Sequence, residues 1–210
     1  MLRLTTALTI FVLTASAAFG QERPFGSQEF APPSELEYFD DDTEELEELP
    51  PPPTAEELLA DLAIVDNEED ARDLERRILT LWSRSGSATA DLLFSRSHEA
   101  MEEDDFETMA LLLDELTELA PHFAEGWHQH AISAMRQENF EEAMSSLRQT
   151  LALEPKHFIA MAELGSILEE FGDNERALAA YREALAINPF IEGLDERVRE
   201  LTRSVEGQGI

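Results

Sequence analysis

Proline recurs at a fixed interval in the second half of this chain: Pro121, Pro155 and Pro189 stand 34 residues apart. Other positions keep the same phase. Twelve residues before each proline are Met109, Ala143 and Ala177, and sixteen further back are Leu93, Trp127 and Met161. Self-similarity at such a period marks a stack of supersecondary units. Each is too small to bury its own apolar face and is covered by its neighbours. Three in-phase units follow, 90–123, 124–157 and 158–191, within a repeat region over 87–191.

Each unit divides into two helices, A and B. In the middle unit, helix A is predicted from about Ala124 to Gln137, Asn139-Phe140 turns the chain, and helix B runs from about Glu141 to Leu153. Glu103-Asp104-Asp105-Phe106 and Phe171-Gly172-Asp173-Asn174 hold the equivalent turns. Small residues recur on helix A at Ser97, Ala131 and Gly165, which lets helix B cross closely. Ala143 and Ala177 answer from helix B, with Met109 as a bulkier departure. Leu113, Leu147 and Tyr181 fill the core, as do Leu116, Thr150 and Ala184. Each proline ends a helix B and can open the next helix A.

These residues resemble the tetratricopeptide repeat, a helix–turn–helix unit of 34 residues. Met161, Leu164-Gly165, Leu168, Ala177, Tyr181, Ala184 and Pro189 match its pattern closely. Trp127, Ala131, Ala143 and Pro155 carry the middle unit, although His130 stands where the family usually has leucine. Arg96-Ser97 and Met109 are departures in the first unit. The resemblance covers about half the chain and implies an all-α helical-hairpin solenoid. It is uninformative about the partner, because this family scaffolds very different ones.

The flanks read differently. Residues 1–20 have the form of an export signal: Arg3, an apolar run from Leu4 to Ala18, and small residues ahead of Gln21. Cleavage after Gly20 or after Ala17 both fit, and an uncleaved inner-membrane anchor is the alternative. The run is shorter than the ~20 residues that span a bilayer, so no stable membrane insertion is expected after cleavage. Residues 21–53 read as a disordered acidic and proline-rich tether. Nine acids lie between Glu35 and Glu48, and Pro50 to Pro53 follow as a stiff spacer. Leu36, Tyr38, Phe39, Leu46 and Leu49 interrupt the acids, so the tail itself is a second candidate binding element. Thr54-Ala-Glu-Glu57 has the form of a capping box. Together with Asp66-Asn-Glu-Glu69 it predicts a helix pair over 54–86, read as a cap over the open end of the solenoid. Leu194, Val198, Leu201 and Val205 predict a last amphipathic helix, a C-terminal cap over 192–206.

In the family that these repeats resemble, helix A lines the concave surface. The side of helix A turned away from helix B carries Phe94, His98 and Met101, then His128, Ile132 and Met135, then Ala162, Ser166 and Glu169. Glu125 adds an acid at one rim. This face is aromatic, Met-rich and imidazole-bearing in two units, and small and acidic in the third. It suits a peptide with apolar anchors; ordinary core packing is the competing reading. Family members that grip a C-terminal carboxylate use Lys, Arg and Asn here. This chain has Phe94, His98, Gln129, Ile159 and Glu163, which argues against such a clamp.

A net charge of −31, from 46 acids against 15 bases, repels phosphate backbones and argues against nucleic acid. No cysteine is present, so disulfides and thiol chemistry are absent. His98 and His128 could approach across adjacent A helices, with Glu125 a turn away. That makes at most three ligands without a metal motif, so neither a metal nor another cofactor is expected. No nucleophile elbow, phosphate loop or dinucleotide fingerprint appears. The expectation is a non-enzymatic protein–protein scaffold or adaptor, exported to the periplasm of a bacterial envelope. It would bind a peptide or protein on the concave surface. An enzyme with an unfamiliar metal-linked or small-molecule site is the remaining alternative.

Overall fold

The computed structural model describes residues 51–207. The expected export signal and the tether as far as Pro50 lie outside the described residues. Pro51 to Pro53 are exposed and carry no regular structure. Among the described residues there are nine helices and no strand. None is long and apolar enough to cross a membrane.

The helices are α1 (Ala55–Leu62), α2 (Glu68–Trp82), α3 (Ala88–Glu102), α4 (Phe106–Leu119), α5 (Ala124–Arg136), α6 (Phe140–Leu153), α7 (Phe158–Glu170), α8 (Asn174–Ile187) and α9 (Leu194–Gly207). α3, α5 and α7 are the A helices, and α4, α6 and α8 the B helices. The predicted capping box forms. The Glu57 amide donates to the Thr54 hydroxyl at 3.3 Å, and the Thr54 amide donates to the Glu57 carboxylate at 2.8 Å.

The turn inside each unit repeats as strictly as the prolines do. Asp104, Glu138 and Gly172, each 34 residues after the last, have φ of +57°, +59° and +77°. The next residue donates its amide to the carbonyl five residues back: Asp105 to Ala100, Asn139 to Ala134 and Asp173 to Leu168, at 2.8–2.9 Å. This Schellman geometry closes helix A and favours glycine, since a Cβ strains the left-handed conformation. Asp104 and Glu138 adopt it regardless. Asp105, Asn139 and Asp173 then cap the B helices with their side chains.

Small residues set the crossing distance. Ser97 and Ala131 are fully buried and Gly165 is buried. A Cβ on Gly165 would stand 2.6 Å from the Tyr181 ring, so the aromatic fill on α8 depends on this glycine. Among the described residues the core has three clusters. One joins α3 and α4 with Phe123, and another joins α5 and α6 with Ala160 and Ile167 of α7. The third contains Phe158, Leu178, Tyr181, Leu194 and Leu201 from α7 to α9, and also Leu58, Leu59, Leu62, Ala71 and Ile78 from α1 and α2.

That last membership shows where the N-terminal hairpin packs. The N-terminal helix pair does not seal the first unit. Its buried side chains share a cluster with the third unit and α9, α1 touches α8, and the Trp82 ring stacks on His157 at 4.4 Å. The Glu75 carboxylate accepts from Asn188 Nδ2 at 3.2 Å. Phe158, Ile159, Phe190 and Ile191 give the hairpin apolar side chains to cover, whereas Leu92 on α3 remains 57% exposed.

Candidate functional site

The A-helix side chains sort into two groups. Phe94, His98, Met101, Ile132 and Met135 are half-buried. Phe94 meets His98 and Phe123 edge-on, at 4.5 and 5.3 Å between ring centres, and Met101 and Ile132 pack on the same cluster. His98 Nδ1 lies 3.0 Å from the Phe94 carbonyl, to which it donates. Met135 packs on the middle-unit cluster. In the third unit, Ala162 is half-buried beside the hairpin's cluster and Ser166 is exposed. Glu169 accepts from the Tyr181 hydroxyl at 3.0 Å and from Arg197 Nε at 2.9 Å, tying α7 to α8 and α9.

Glu125 and His128 behave differently from the other expected residues. Glu125 is buried, not at a rim, and His128 is 3% exposed. His128 does not meet His98. Its Nδ1 lies 3.1 Å from Glu125 Oε1, and its Nε2 lies 3.0 Å from Glu163 Oε2. His157 Nε2 lies 3.0 Å from Glu125 Oε2, and Gln129 Nε2 donates to Glu125 Oε1 at 2.9 Å. His157 and Glu163 are the members that sequence reading did not assemble. They lie 32 and 35 residues from their partners: His157 ends the unit that Glu125 begins, and Glu163 reaches His128 across a unit boundary. One signal was available: His157 stands just before α7 and caps it.

That cap fixes the chemistry of the cluster. The Ala160 amide donates to His157 Nδ1 at 3.2 Å. Nδ1 therefore carries a lone pair, and the ring proton sits on Nε2, donated to Glu125. Both nitrogens of His128 face carboxylate oxygens, which only accept. His128 is therefore an imidazolium. Burial alone would strip its proton, but the hydrogen bonds to Glu125 and Glu163 outweigh that and raise its pKa to about 10. Burial pushes the Glu125 carboxyl up, and its bonds to His128 and His157 more than reverse this, holding it well below the carboxylate range.

Ligand atoms of Glu125, His128 and His157 lie within 4.8 Å of one another, close enough to hold a cation. A metal on His157 Nε2 would move that ring's proton to Nδ1, against the Ala160 amide, and would break the cap of α7. The donor set fits protons better than a metal. A second group joins His130 to Asp114 at 2.9 Å and to the Ser146 hydroxyl at 2.8 Å. Ser146 is 2% exposed, so its hydroxyl is sealed from any substrate. Finally, α2, α7 and residues 190–197 enclose a cleft of about 760 Å³.

Comparison with known proteins agrees with this architecture. Residues 128–190 match the family described as tetratricopeptide repeat. A TPR repeat-containing protein of Rhizobium etli is 30% identical over 152 residues, which is 72% of this chain and 74% of the relative. Among solved structures, the first TPR of Spaghetti (RPAP3) bound to the HSP90 peptide SRMEEVD superposes with a TM-score of 0.53 at 15% identity. It covers 56% of this chain and 93% of that one. The Yersinia enterocolitica type III secretion chaperone SycD, in complex with a peptide of the translocator YopD, gives 0.52 at 13% identity, covering 59% and 97%. MamA gives 0.52 at 17% identity, covering 67% and 73%. At these identities the structures speak for the fold alone. The extent and identity of the Rhizobium relative, with the repeat match, make this chain a member of the tetratricopeptide-repeat family.

Proposed function

We propose that this protein is a non-enzymatic adaptor of a bacterial cell envelope, holding a peptide or protein on the A-helix face of its first two units. Repeats of this family generally serve as protein–protein interaction modules. One observation carries the choice of surface. Phe94, Met101, Ile132 and Met135 are apolar and half-exposed, and no side chain of α1 or α2 joins their clusters. The hairpin's burial falls on unit three. Methionine and aromatic side chains in this setting adapt to apolar anchors of a ligand. An acidic C-terminal peptide of the kind seen with RPAP3 is disfavoured, because Glu163 stands among the positions where such ligands meet cations. Export is supported by Arg3, the apolar run that follows and the small residues before Gln21.

The test is recovery of crosslinked partners from envelope extracts with the native chain and with Phe94→Ala/Met135→Ala. The variant is expected to lose a partner that the native chain retains, with its helical circular dichroism unchanged. If the variant keeps every partner, the groove reading fails. A mature N-terminus at Gln21 or Ala18 is expected from sequencing the cellular protein; a retained Met1 removes the cleaved-signal reading in favour of an inner-membrane anchor, and a retained Met1 on a chain found free of the envelope removes export altogether.

A further inference from the structure

The hairpin does more than cover apolar surface. It supplies a wall to the cleft of about 760 Å³, of which α7 is the floor and residues 190–197 the opposite wall. That volume takes a few side chains of a peptide. The interior is largely apolar, with Ile159, Ala162, Phe190 and Ile191 lining it while only half-buried.

The charges around the cleft are unequal in what they have left to offer. Its three arginines are engaged: Arg72 with Glu68, Arg76 with Asp73 at 2.8 Å, and Arg197 with Glu169 and Glu200. Three carboxylates are not used up. Glu192 has no hydrogen-bond or ion-pair partner among the described residues. Glu75 spends one oxygen on Asn188 and Glu163 one on His128, leaving the second oxygen of each unpaired. The single positive charge of His128 is shared between Glu125 and Glu163, so that group keeps a net negative charge. A partly dry cleft with unspent negative charge favours a cation.

We infer that this cleft binds a segment of a partner protein in which an arginine or lysine stands among apolar residues. The cation meets Glu75, Glu163 and Glu192, and its neighbours lie on Ile159, Phe190 and Ile191. The inference rests on the adaptor reading but uses a different surface, one wall of which lies outside the repeats. The occupant is basic because the chain carries a net charge of −31, and an acidic segment would meet repulsion at every approach.

The test is fluorescence anisotropy of the full chain with a labelled peptide of Arg-Leu-Ala repeats, with Gln-Leu-Ala and Glu-Leu-Ala peptides as comparisons. Binding is expected for the arginine peptide alone. Glu75→Gln/Glu192→Gln is expected to weaken it about ten-fold or more, the size of a charge-assisted contact. Glu107→Gln/Glu118→Gln, an equal loss of charge on the exposed side of α4, should leave it nearly unchanged. Equal weakening by both double variants would reduce the effect to overall charge and overturn the site. So would equal binding of the glutamine peptide, or no binding of the arginine peptide. Phe94→Ala/Met135→Ala separates the two surfaces. It should release the envelope partner yet keep the arginine peptide, so either reading can fail while the other stands.

Discussion

At the scale of single residues, the most constrained group is the His128 imidazolium between Glu125 and Glu163. Its pKa lies above the ordinary value of 6.5, at about 10, so the folded protein holds that proton more tightly than the unfolded chain does. The stabilisation is complete below pH 6.5 and drains away as pH climbs through about 10. Glu125 is shifted the other way. Its contribution is present above the ordinary carboxylate range and is lost as pH falls below it. The His128 ring resonance should therefore stay unchanged through neutral pH and titrate only in the alkaline range. Glu163→Gln, which removes one of the two flanking anions, should lower that midpoint by about 1–3 pH units and move the alkaline loss of thermal stability with it. A native midpoint near 6.5 would mean the ring is not held between two carboxylates. Gln129 and Glu163 were in view in the sequence only as places where a carboxylate clamp was missing. Gln129 meets Glu125 within one helical turn, but the contact of Glu163 with His128 needed three dimensions, because residues 35 apart belong to different units.

At the scale of helices, legibility followed the period. The repeated helices, their turns and the small residues at their crossings could be read because three copies vote on each position. The positive φ at Asp104 and Glu138 could be inferred from Gly172 in the same phase. The α1–α2 hairpin has no second copy to vote with. Its stripe of Leu58, Leu62, Ala71 and Ile78 shows that it must pack on something, and says nothing about which unit. Burial against Phe158, Tyr181 and Leu194 seats it on the third. This seat makes a prediction. Leu62→Ala, at a fully buried position, should cost about 2–5 kcal/mol. The resulting loss of amide protection in hydrogen exchange should appear in α1, α2 and α8 and spare α3 and α4. Loss confined to α3 and α4 would put the hairpin back on the first unit.

At the scale of the whole molecule, charge is the dominant fact. Among the described residues most ion pairs are local, three or four residues apart in sequence, such as Arg72 with Glu68, Arg176 with Asp173 and Arg199 with Asp195. They do little to hold units together, and exposed pairs of this kind are worth under about 1 kcal/mol each. Arg197 with Glu169 is an exception that joins α9 to α7. The remaining acids, within a net charge of −31, repel one another more closely in the folded chain than in the extended one. Sodium chloride should therefore raise the melting temperature by roughly 2–4 °C, corresponding to about 1 kcal/mol for a chain of this size. The gain should level off near about 0.15 M, where the screening length has fallen to ~8 Å. A steady climb with no plateau would instead report general salting-out, and a fall would mean that attractive pairs outweigh repulsion. Association with a basic partner must respond in the opposite sense, because the same screening removes the attraction that steers encounter. Its on-rate should fall across the salt range over which the fold gains stability. If both quantities moved together, the acidic surface would be serving solubility alone.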